Sequence, residues 1–465
     1  MVRADKPHTR TIFVCQQCGK ESLKWLGRCP SCQQWNSFVE QAVVTPTTSL
    51  SSSSLSNLPQ ELSQVELVAA DRFPLPLAEF NRVLGGGLVS GSLILISGDP
   101  GIGKSTLLLQ VSALIAQAQG KVVYVSGEET QHQIKLRSER LGISGEKLYL
   151  MAETDLEAIL SQIEQLKPSL VVIDSIQAVY LPELDTGAGS VTQVRECTLR
   201  LMHWAKQNSI PTFIAGHVTK DGAIAGPRVL EHIVDVVLYL EGEPFSAYRL
   251  LRSVKNRFGS TNEVGVFEMK GKGLIEVDNP SLAFLSQRGD NTIGSVVVPT
   301  LEGTRPLLVE VQALTNPTSF GLPRRTANGV DFGRLLLITA VLSRRVGLKL
   351  GNQDIIVNVT GGIKVSEPAA DLGIALAIAS SFRDMGVDPQ LVAVGEVGLG
   401  GELRAVSQLD RRMNEAARLG FKRCLIPKIG ARISPPKGIE LIPVSTLREA
   451  IGVGLVRGKP RNRAD

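Results

Sequence analysis

A glycine-rich segment carries the residue types that bind phosphate groups. It fits the pattern G-x-x-x-x-G-K-[ST] and lies between an apolar strand pattern and an apolar helix pattern, which is the context that this pattern requires. Backbone N–H groups of such a loop surround phosphate oxygens, and the following helix adds the positive end of its dipole. The residues of this loop are Gly98, Asp99, Pro100, Gly101, Ile102, Gly103, Lys104, Ser105 and Thr106.

We therefore predict that this loop binds ATP together with Mg²⁺. Lys104 is expected to reach the β- and γ-phosphates, and Ser105 is expected to ligate the metal ion. A carboxylate is also needed to hold the metal ion. Asp174 is the candidate, because it follows four aliphatic residues at the end of a strand pattern. The alternative role for Asp174 is that of a helix cap, which many buried strands carry at this position.

Hydrolysis also requires a base that orients water near the γ-phosphate. Glu128 and Glu129 follow another apolar strand pattern and are candidates for this catalytic role. The alternative is that they lie in the first turn of the next helix and complement its dipole. Because one glutamate can serve each purpose, the sequence leaves open which of the two is the base.

Two further segments carry polar side chains after strand patterns. His217 is either a sensor of the γ-phosphate or a structural histidine, and the polar residues after it, to 228, predict a mobile loop. A later pentapeptide places two cations around an aromatic ring. This composition suits single-stranded DNA, the nucleotide of a neighbouring subunit or an ordinary solvated turn. Its residues are Lys255, Asn256, Arg257, Phe258 and Gly259.

Four of the six cysteines form two C-x-x-C pairs separated by ten residues. Four thiolates suit a closed tetrahedral Zn²⁺ site, which serves structure rather than catalysis. Metal binding would hold this short segment folded, since it has few residues for a core. The alternative, a pair of redox motifs, lacks the βαβ pattern that accompanies them. The predicted zinc ligands are Cys15, Cys18, Cys29 and Cys32.

These residues are distributed over a chain that divides by composition. The metal-binding segment covers 1–42, and a Ser/Thr-rich linker follows at 43–68. Apolar strands alternate with helices over 69–288, which predicts a mainly parallel sheet covered on both faces. A second α/β region covers 289–456, and a basic tail covers 457–465. The strands predicted in the first α/β region are 92–97, 121–126, 170–174, 211–216 and 234–240.

The overall composition excludes some classes of protein without identifying a partner. The chain has 465 residues, of which 43% are hydrophobic and 20% charged, so it is expected to fold into several domains. We find no apolar run long enough to span a membrane, and we expect a cytoplasmic protein with no membrane partner. The net charge of +5 permits a nucleic-acid partner but does not argue for one.

In this order the motifs resemble those of the bacterial RadA (Sms) family of DNA repair proteins. The similarity runs from the cysteine pairs through GDPGIGKST, VSGEE, LVVIDS and KNRFG into the C-terminal region. It implies an α/β protein with a zinc ribbon, a RecA-like P-loop ATPase and hexameric rings. It also implies DNA-stimulated ATP hydrolysis, single-stranded and branched DNA as partners, and helicase-like translocation that promotes branch migration. A RecA-type recombinase filament is the expected protein partner, and the bacterial cytosol or nucleoid is the expected location.

The C-terminal region resembles the protease domain of Lon but departs from it at the catalytic positions. Ala369 stands where that family has its serine, and Asp410 stands where it has its lysine. A methyl group is not a nucleophile, and a carboxylate does not replace the amine of a Ser–Lys pair. We therefore predict a DNA translocase acting in recombinational repair. The alternatives are an ATP-dependent protease and a nucleotide-switched scaffold.

Overall fold

The computed structural model describes residues 9–44, 72–217, 227–242, 246–285, 293–318, 321–428 and 434–456. The chain forms two structural units. The first comprises Met1–Glu241, Leu250–Thr261 and Met269–Ile275, and the second comprises Gly242–Arg249, Asn262–Glu268 and Glu276–Asp465. Most of the predicted linker, most of the predicted mobile loop after His217 and the whole predicted basic tail lie outside the described residues.

The N-terminal part of the first unit is a three-stranded antiparallel sheet. Its strands are β1 (Thr9–Cys15), β2 (Glu21–Ser22) and β3 (Phe38–Val44), in the order β2-β1-β3. The apolar cluster beneath it is small, with Cys15, Cys29 and Phe38 buried. The predicted zinc ribbon is confirmed as a fold, and two loops of this sheet carry the cysteine pairs.

The remainder of the first unit alternates strands with helices, as the sequence predicts. Up to the strand of Asp174, the elements are β4 (Arg72–Phe73), α1 (Ala78–Leu84), β5 (Leu88–Val89), β6 (Leu93–Gly98), α2 (Lys104–Gln119), β7 (Val122–Ser126), α3 (Gln131–Leu141), β8 (Leu148–Ala152), α4 (Leu156–Leu166) and β9 (Leu170–Asp174). They are followed by α5 (Val191–Asn208), β10 (Thr212–His217), α6 (Pro227–Leu230), β11 (Val236–Glu241), β12 (Tyr248–Asn256) and β14 (Gly273–Glu276). Strand β13 (Val264–Lys270) lies between β12 and β14 in the chain, and most of its residues belong to the second unit.

The strands that carry the candidate site belong to one sheet in the order β12-β11-β6-β10-β9-β7-β8. From β11 to β8 all neighbours are parallel, and β12 is antiparallel to β11. Every residue of β6, β7 and β9 is buried, as expected for a parallel sheet with helices on both faces. The mainly parallel sheet is therefore confirmed, and all five predicted strands are present with ends shifted by at most two residues.

Local sequence signals set where the helices of this unit begin. Thr130 caps α3 by accepting from the backbone N–H of Gln133, whose side chain accepts in return from the N–H of Thr130. Asp155 and Ser190 cap α4 and α5 in the same way with their side-chain oxygens. Each cap satisfies backbone N–H groups that have no partner within the helix. Helix α3 therefore begins directly after the loop that carries Glu128 and Glu129.

The second unit is built on a mixed seven-stranded sheet in the order β17-β18-β16-β15-β20-β23-β24. Helix α9 packs against β15 and β16 and is apolar on all sides, as its sequence predicts. The first elements are α7 (Pro280–Leu285), β15 (Ser295–Glu302), β16 (Arg305–Pro317), β17 (Arg325–Asn328), α8 (Phe332–Val341), β18 (Gln353–Val359) and α9 (Asp371–Arg383). The rest are β19 (Gly386–Val387), β20 (Leu391–Ala393), β21 (Glu396–Val397), β22 (Leu403–Arg404), α10 (Leu409–Arg418), β23 (Arg423–Pro427), β24 (Glu440–Val444), α11 (Leu447–Gly454) and β25 (Leu455–Val456).

The predicted α/β class is thus confirmed in both units. In the described part of the chain, none of the helices is long and apolar enough to cross a membrane.

Candidate nucleotide and metal sites

The phosphate-binding loop connects the end of β6 to the start of α2. The loop passes close to β11, because a Cβ added at Gly98 would lie 2.4 Å from the carbonyl oxygen of Leu240. Gly101 has a φ of +75° and open space around its Cα, so its backbone is accessible to a bound group. A loop with this shape, followed by a helix N-terminus, fits the phosphates of a nucleotide.

Lys104 lies at the centre of this loop. Its side chain is buried, and its Nζ donates to the carbonyl oxygens of Gly98 at 2.9 Å and Asp99 at 3.0 Å. Burial lowers the pKa of the Lys104 ammonium, and the negative charges of Asp174, Asp99 and Glu128 oppose that shift. Lys104 and Asp174 are therefore close enough to interact electrostatically within one site.

Asp174 reaches the site from β9, which is not the immediate neighbour of β6. Strand β10 lies between them, so the order is β6-β10-β9. The carboxylate is buried and accepts a hydrogen bond from the hydroxyl of Tyr124 on β7. Burial, and secondly the charge of Asp174, raise the pKa of Tyr124 well above its usual value, so the phenol remains a donor. The sequence analysis missed Tyr124, although a tyrosine within a buried strand usually requires a partner for its hydroxyl.

The two candidate bases have different partners. Glu128 accepts a hydrogen bond from the Ser175 hydroxyl, and its Oε1 lies 3.6 Å from Nε2 of His217. Glu129 pairs instead with Arg137 of α3, and its backbone N–H donates to Ser126 Oγ at 3.0 Å. The side chain of Glu128 is half exposed, whereas two thirds of the Glu129 side chain is buried. Glu128 thus faces the ends of β9 and β10, and Glu129 pairs with the helix that follows. The expectation that one of them lies in the first turn of this helix is wrong, because α3 begins at Gln131, after both glutamates.

His217 ends β10 and pairs in register with Gly98, the first residue of the loop. Its Nε2 faces Glu128, while its Nδ1 is buried and has no hydrogen-bond partner among the described residues. This histidine lies on the strand next to that of Asp174. It is close both to the phosphate-binding loop and to the candidate base Glu128.

A cavity of about 270 Å³ lies beside the start of α2. Thr106, at the end of the phosphate-binding loop, forms part of its wall. Arg140 and Leu141 of α3 contribute a guanidinium and an apolar surface, and the hairpin around Met269 contributes a further apolar surface. Such a lining suits a flat aromatic ring that stacks under a cation. This cavity was not predictable from the sequence, since the hairpin at Met269 lies more than a hundred residues from Thr106 and Arg140 in the chain.

The basic pentapeptide is anchored through contacts that its composition does not reveal. Lys255 Nζ donates to the carbonyl oxygens of Glu231 at 2.7 Å, Val234 at 2.8 Å and His232 at 3.5 Å. Burial, followed by the charge of Arg257, lowers the pKa of Lys255. The ammonium of Lys255 is therefore engaged with the protein backbone.

Arg257 and Asn256 complete this anchoring. Arg257 lies 3.3 Å from the buried carboxylate of Asp235, and half of its side chain is exposed. Lys206 approaches the same carboxylate at 3.6 Å, so two cations share one anion. The amide of Asn256 donates to the carbonyl oxygen of Leu84 at 3.2 Å and accepts from the N–H of Phe258 at 2.8 Å. Arg257 is the more exposed of the two pentapeptide cations.

The four predicted zinc ligands lie together in the ribbon. Their sulfur atoms are all within 4.8 Å of one another, with Cys15 and Cys32 at 3.6 Å and Cys18 and Cys29 at 3.5 Å. Four thiolates bound to one Zn²⁺ at about 2.3 Å would have sulfur–sulfur distances of about 3.8 Å, so the residues fit this ion. Burial raises the pKa of the Cys18 thiol to about 12. For Cys29, burial is outweighed by backbone N–H donors of Cys32 and Ser31, and its pKa falls to about 7.

In the second unit, the positions expected for a protease dyad hold no such pair. Ala369 is buried in an apolar cluster with Met413, and Asp410 is exposed on α10. Nearby on α10, Arg412 forms two hydrogen bonds of 2.6 Å with the carboxylate of Glu367 and another, at 2.8 Å, with the carbonyl oxygen of Pro299. Lys364 and Ser366 are both exposed, as their alternation with apolar residues predicts. This arrangement stabilises the fold and offers no nucleophile.

Comparison with known proteins gives matches over nearly the whole chain. The chain is 55% identical over 453 residues to a DNA repair protein RadA of Halalkalibacterium halodurans, a match that covers 96% of this chain and 99% of that protein. A DNA repair protein RadA of Bacillus subtilis is 53% identical over 453 residues, with the same coverage. A solved structure of a KaiC-like protein from Pyrococcus horikoshii shares 21% identity and covers 44% of this chain and 98% of that one, with a TM-score of 0.38.

Three family descriptions also match separate parts of the chain. Residues 13–40 match the rubredoxin metal binding domain, residues 59–223 match the AAA domain, and residues 321–429 match subunit ChlI of Mg-chelatase.

Proposed function

The chain belongs to the RadA family of DNA repair proteins and is an ATP hydrolase, and we propose that it uses ATP hydrolysis to move on single-stranded DNA and to drive branch migration of recombination intermediates. The observation that carries this proposal is the convergence of Lys104, Asp174, Glu128 and His217 at the carboxyl edge of one parallel sheet. Ligands of open α/β sheets bind at this edge.

The residues at this edge of the sheet have different roles in ATP hydrolysis. ATP with Mg²⁺, when bound, supplies the phosphoanhydride and a metal ion that neutralises the charge developing on its oxygens. Lys104 and the loop backbone would hold the phosphates, Ser105 and Asp174 would hold the metal ion, and Tyr124 keeps the Asp174 carboxylate oriented. The cavity beside Thr106 suits the nucleobase.

Glu128 is placed to accept the proton of the attacking water, because its carboxylate is half exposed and lies at the end of the same sheet. Ser175 and His217 fix its position through the contacts that they make with it. His217 thereby connects Glu128 to β10. A conformational change at the end of β10 would therefore shift the carboxylate of Glu128.

Arg257 of the pentapeptide lies at the opposite edge of the sheet from the phosphate-binding loop. Its backbone N–H donates to the carbonyl oxygen of Asp235 at 3.1 Å, and Asp235 in turn bonds to Leu93 at the start of β6. The loop begins at Gly98, five residues and about 17 Å further along this strand. Arg257 is therefore too far away to serve its own nucleotide. This distance supports a role on DNA or on the nucleotide of a neighbouring subunit in the proposed hexameric ring.

The proposal is tested by ATP turnover with and without a single-stranded oligonucleotide. We expect DNA to stimulate turnover, and we expect Lys104→Ala to reduce turnover by about 10²–10³-fold, as for the loss of one charge-stabilising donor, and to abolish branch migration of a synthetic junction. Lys121→Ala, which removes the same charge at an exposed site, is the matched control. Full branch migration by Lys104→Ala, or turnover that DNA leaves unchanged, would refute the proposal.

A second prediction separates the two cations of the pentapeptide. Arg257→Ala is expected to keep unstimulated turnover and to lose most of the stimulation by DNA, because its exposed guanidinium is the group available to a partner. Lys255→Ala is expected to weaken the fold locally by about 1 kcal/mol, since partly buried carbonyls lose their donor. Hydrogen exchange of amides 231–236 measures the second effect. Equal protection of these amides in both variants would contradict the structural role of Lys255.

A further inference from the structure

The zinc ribbon has an exposed aromatic surface that does not take part in its core. Trp25 is 53% exposed and Trp35 is 69% exposed, and Leu23 beside them is 63% exposed. The ribbon has few apolar residues, yet its buried cluster uses Cys15, Cys29 and Phe38 and leaves both tryptophans at the surface. We call the surface formed by Leu23, Trp25, Leu26, Arg28 and Trp35 the tryptophan face.

The two indole rings are neighbours and are held in place. A Cβ added at Gly27 would lie 3.7 Å from the Trp25 ring and 4.0 Å from the Trp35 ring, so one glycine separates them. The Trp25 indole N–H donates to the carbonyl oxygen of Phe38 at 3.2 Å. Both rings therefore present flat surfaces to solvent before any partner binds, which reduces the entropy lost on binding.

A cation lies against this surface. The Arg28 guanidinium lies 5.7 Å from the Trp35 ring centroid and is fixed by hydrogen bonds of 2.9 Å to the backbone oxygen and to Oε1 of Gln33. Lys24 is exposed between Leu23 and Trp25, and Lys20 is exposed at the first cysteine turn. Residues 13–39 contain three basic residues, Lys20, Lys24 and Arg28, and one acidic residue, Glu21.

We propose that the tryptophan face binds single-stranded DNA, with bases stacked on Trp25 and Trp35 and phosphates neutralised by Lys24 and Arg28. Every base has a face that stacks on an aromatic ring, and cations beside the rings follow the phosphate backbone. The local excess of positive charge favours this partner over an apolar protein surface, since lysine is depleted in the cores of protein interfaces. The inference rests on the proposed function, because it takes DNA as the partner.

Tryptophan fluorescence of the full-length protein tests this binding directly. The chain has three tryptophans, and Trp204 is buried in the ATPase core, so Trp204→Phe leaves only the two on the tryptophan face. Titration of this variant with oligo(dT) is expected to quench its fluorescence, because stacked bases quench indole emission, and added salt is expected to reverse the effect. Anisotropy of a labelled oligo(dT) measures total DNA binding in parallel.

Substitution of the rings gives the energetic test. Trp25→Ala and Trp35→Ala are each expected to weaken DNA binding about 5- to 150-fold, which corresponds to about 1–3 kcal/mol per stacked base. Tyr149→Ala, which removes an exposed aromatic ring from β8, is the matched control, and bound zinc per chain verifies that the ribbon is folded.

The outcomes distinguish this inference from the function on which it rests. DNA binding without quenching, and with equal affinity in the ring variants, would overturn the inference and leave the proposed function standing. The same result is expected if the tryptophan face binds a protein instead of DNA. An absence of DNA binding by the wild-type chain would overturn both.

Discussion

Glu128→Gln is expected to reduce the turnover number of ATP hydrolysis by about 10²–10⁴-fold, the usual contribution of a general base. The amide has nearly the shape of the carboxylate but does not accept a proton from water. Ser175 and His217 contact Glu128 at the ends of β9 and β10, so the substitution removes basicity from the position where water must be activated. Binding of ATP should persist, because the phosphate-binding loop and Asp174 are unchanged.

Glu129→Gln is the matched control, one residue away on the same loop. Glu129 pairs with Arg137 of α3, so its loss should affect the helix and leave turnover within a factor of a few. Steady-state hydrolysis and the binding of a fluorescent ATP analogue separate the chemical step from affinity. A large loss of turnover in Glu129→Gln together with a normal rate in Glu128→Gln would show that the assignment of the base is reversed.

The different side-chain directions of Glu128 and Glu129 could not be predicted from the sequence. Local patterns place both glutamates after a buried strand and before a helix, and the structure confirms these elements. The direction in which each side chain points depends on distant groups: Arg137 on α3 for one, and Ser175 and His217 for the other. No spacing within the sequence encodes these contacts, so the proposal that Glu128 rather than Glu129 is the base depends on the fold.

The pentapeptide shows the same limit for charged residues. Its composition is compatible with two cations that bind an anionic partner and with an ordinary solvated turn, but the backbone carbonyls of Glu231 and Val234 engage Lys255. The sequence 231–234 gives no sign of this, because a carbonyl acceptor is present at every residue. By contrast, the phosphate-binding loop and the cysteine pairs were predictable, since their chemistry depends on residues close together in the chain.

The order of the strands in the sheet was only partly predictable from the sequence. Apolar runs predict the strands of the first unit with small errors at their ends, and right-handed βαβ connections restrict their arrangement. They do not reveal that β10 lies between β6 and β9. That insertion is what brings His217 to the phosphate-binding loop, so this proximity becomes evident only from the sheet.

Removal of zinc is expected to unfold the ribbon while leaving the ATPase core folded. The buried cluster of the ribbon contains Cys15, Cys29 and Phe38, and two of these three are themselves predicted metal ligands. Structural zinc contributes about 10–16 kcal/mol of apparent binding free energy, which is more than such a small core can supply. Cys18→Ser should therefore abolish stoichiometric zinc binding and expose the backbone amides of residues 13–39 to exchange with solvent.

Cys424→Ser supplies the comparison, because Cys424 is buried in the second unit and belongs to no described group of metal-ligating residues. It should retain one zinc per chain and normal protection of residues 13–39. In Cys18→Ser, turnover without DNA should stay near the wild-type rate, since the nucleotide site is built from strands β6, β7, β9 and β10. Slow amide exchange in a zinc-free ribbon would show that the fold does not depend on the metal, and the four cysteines would then need another explanation.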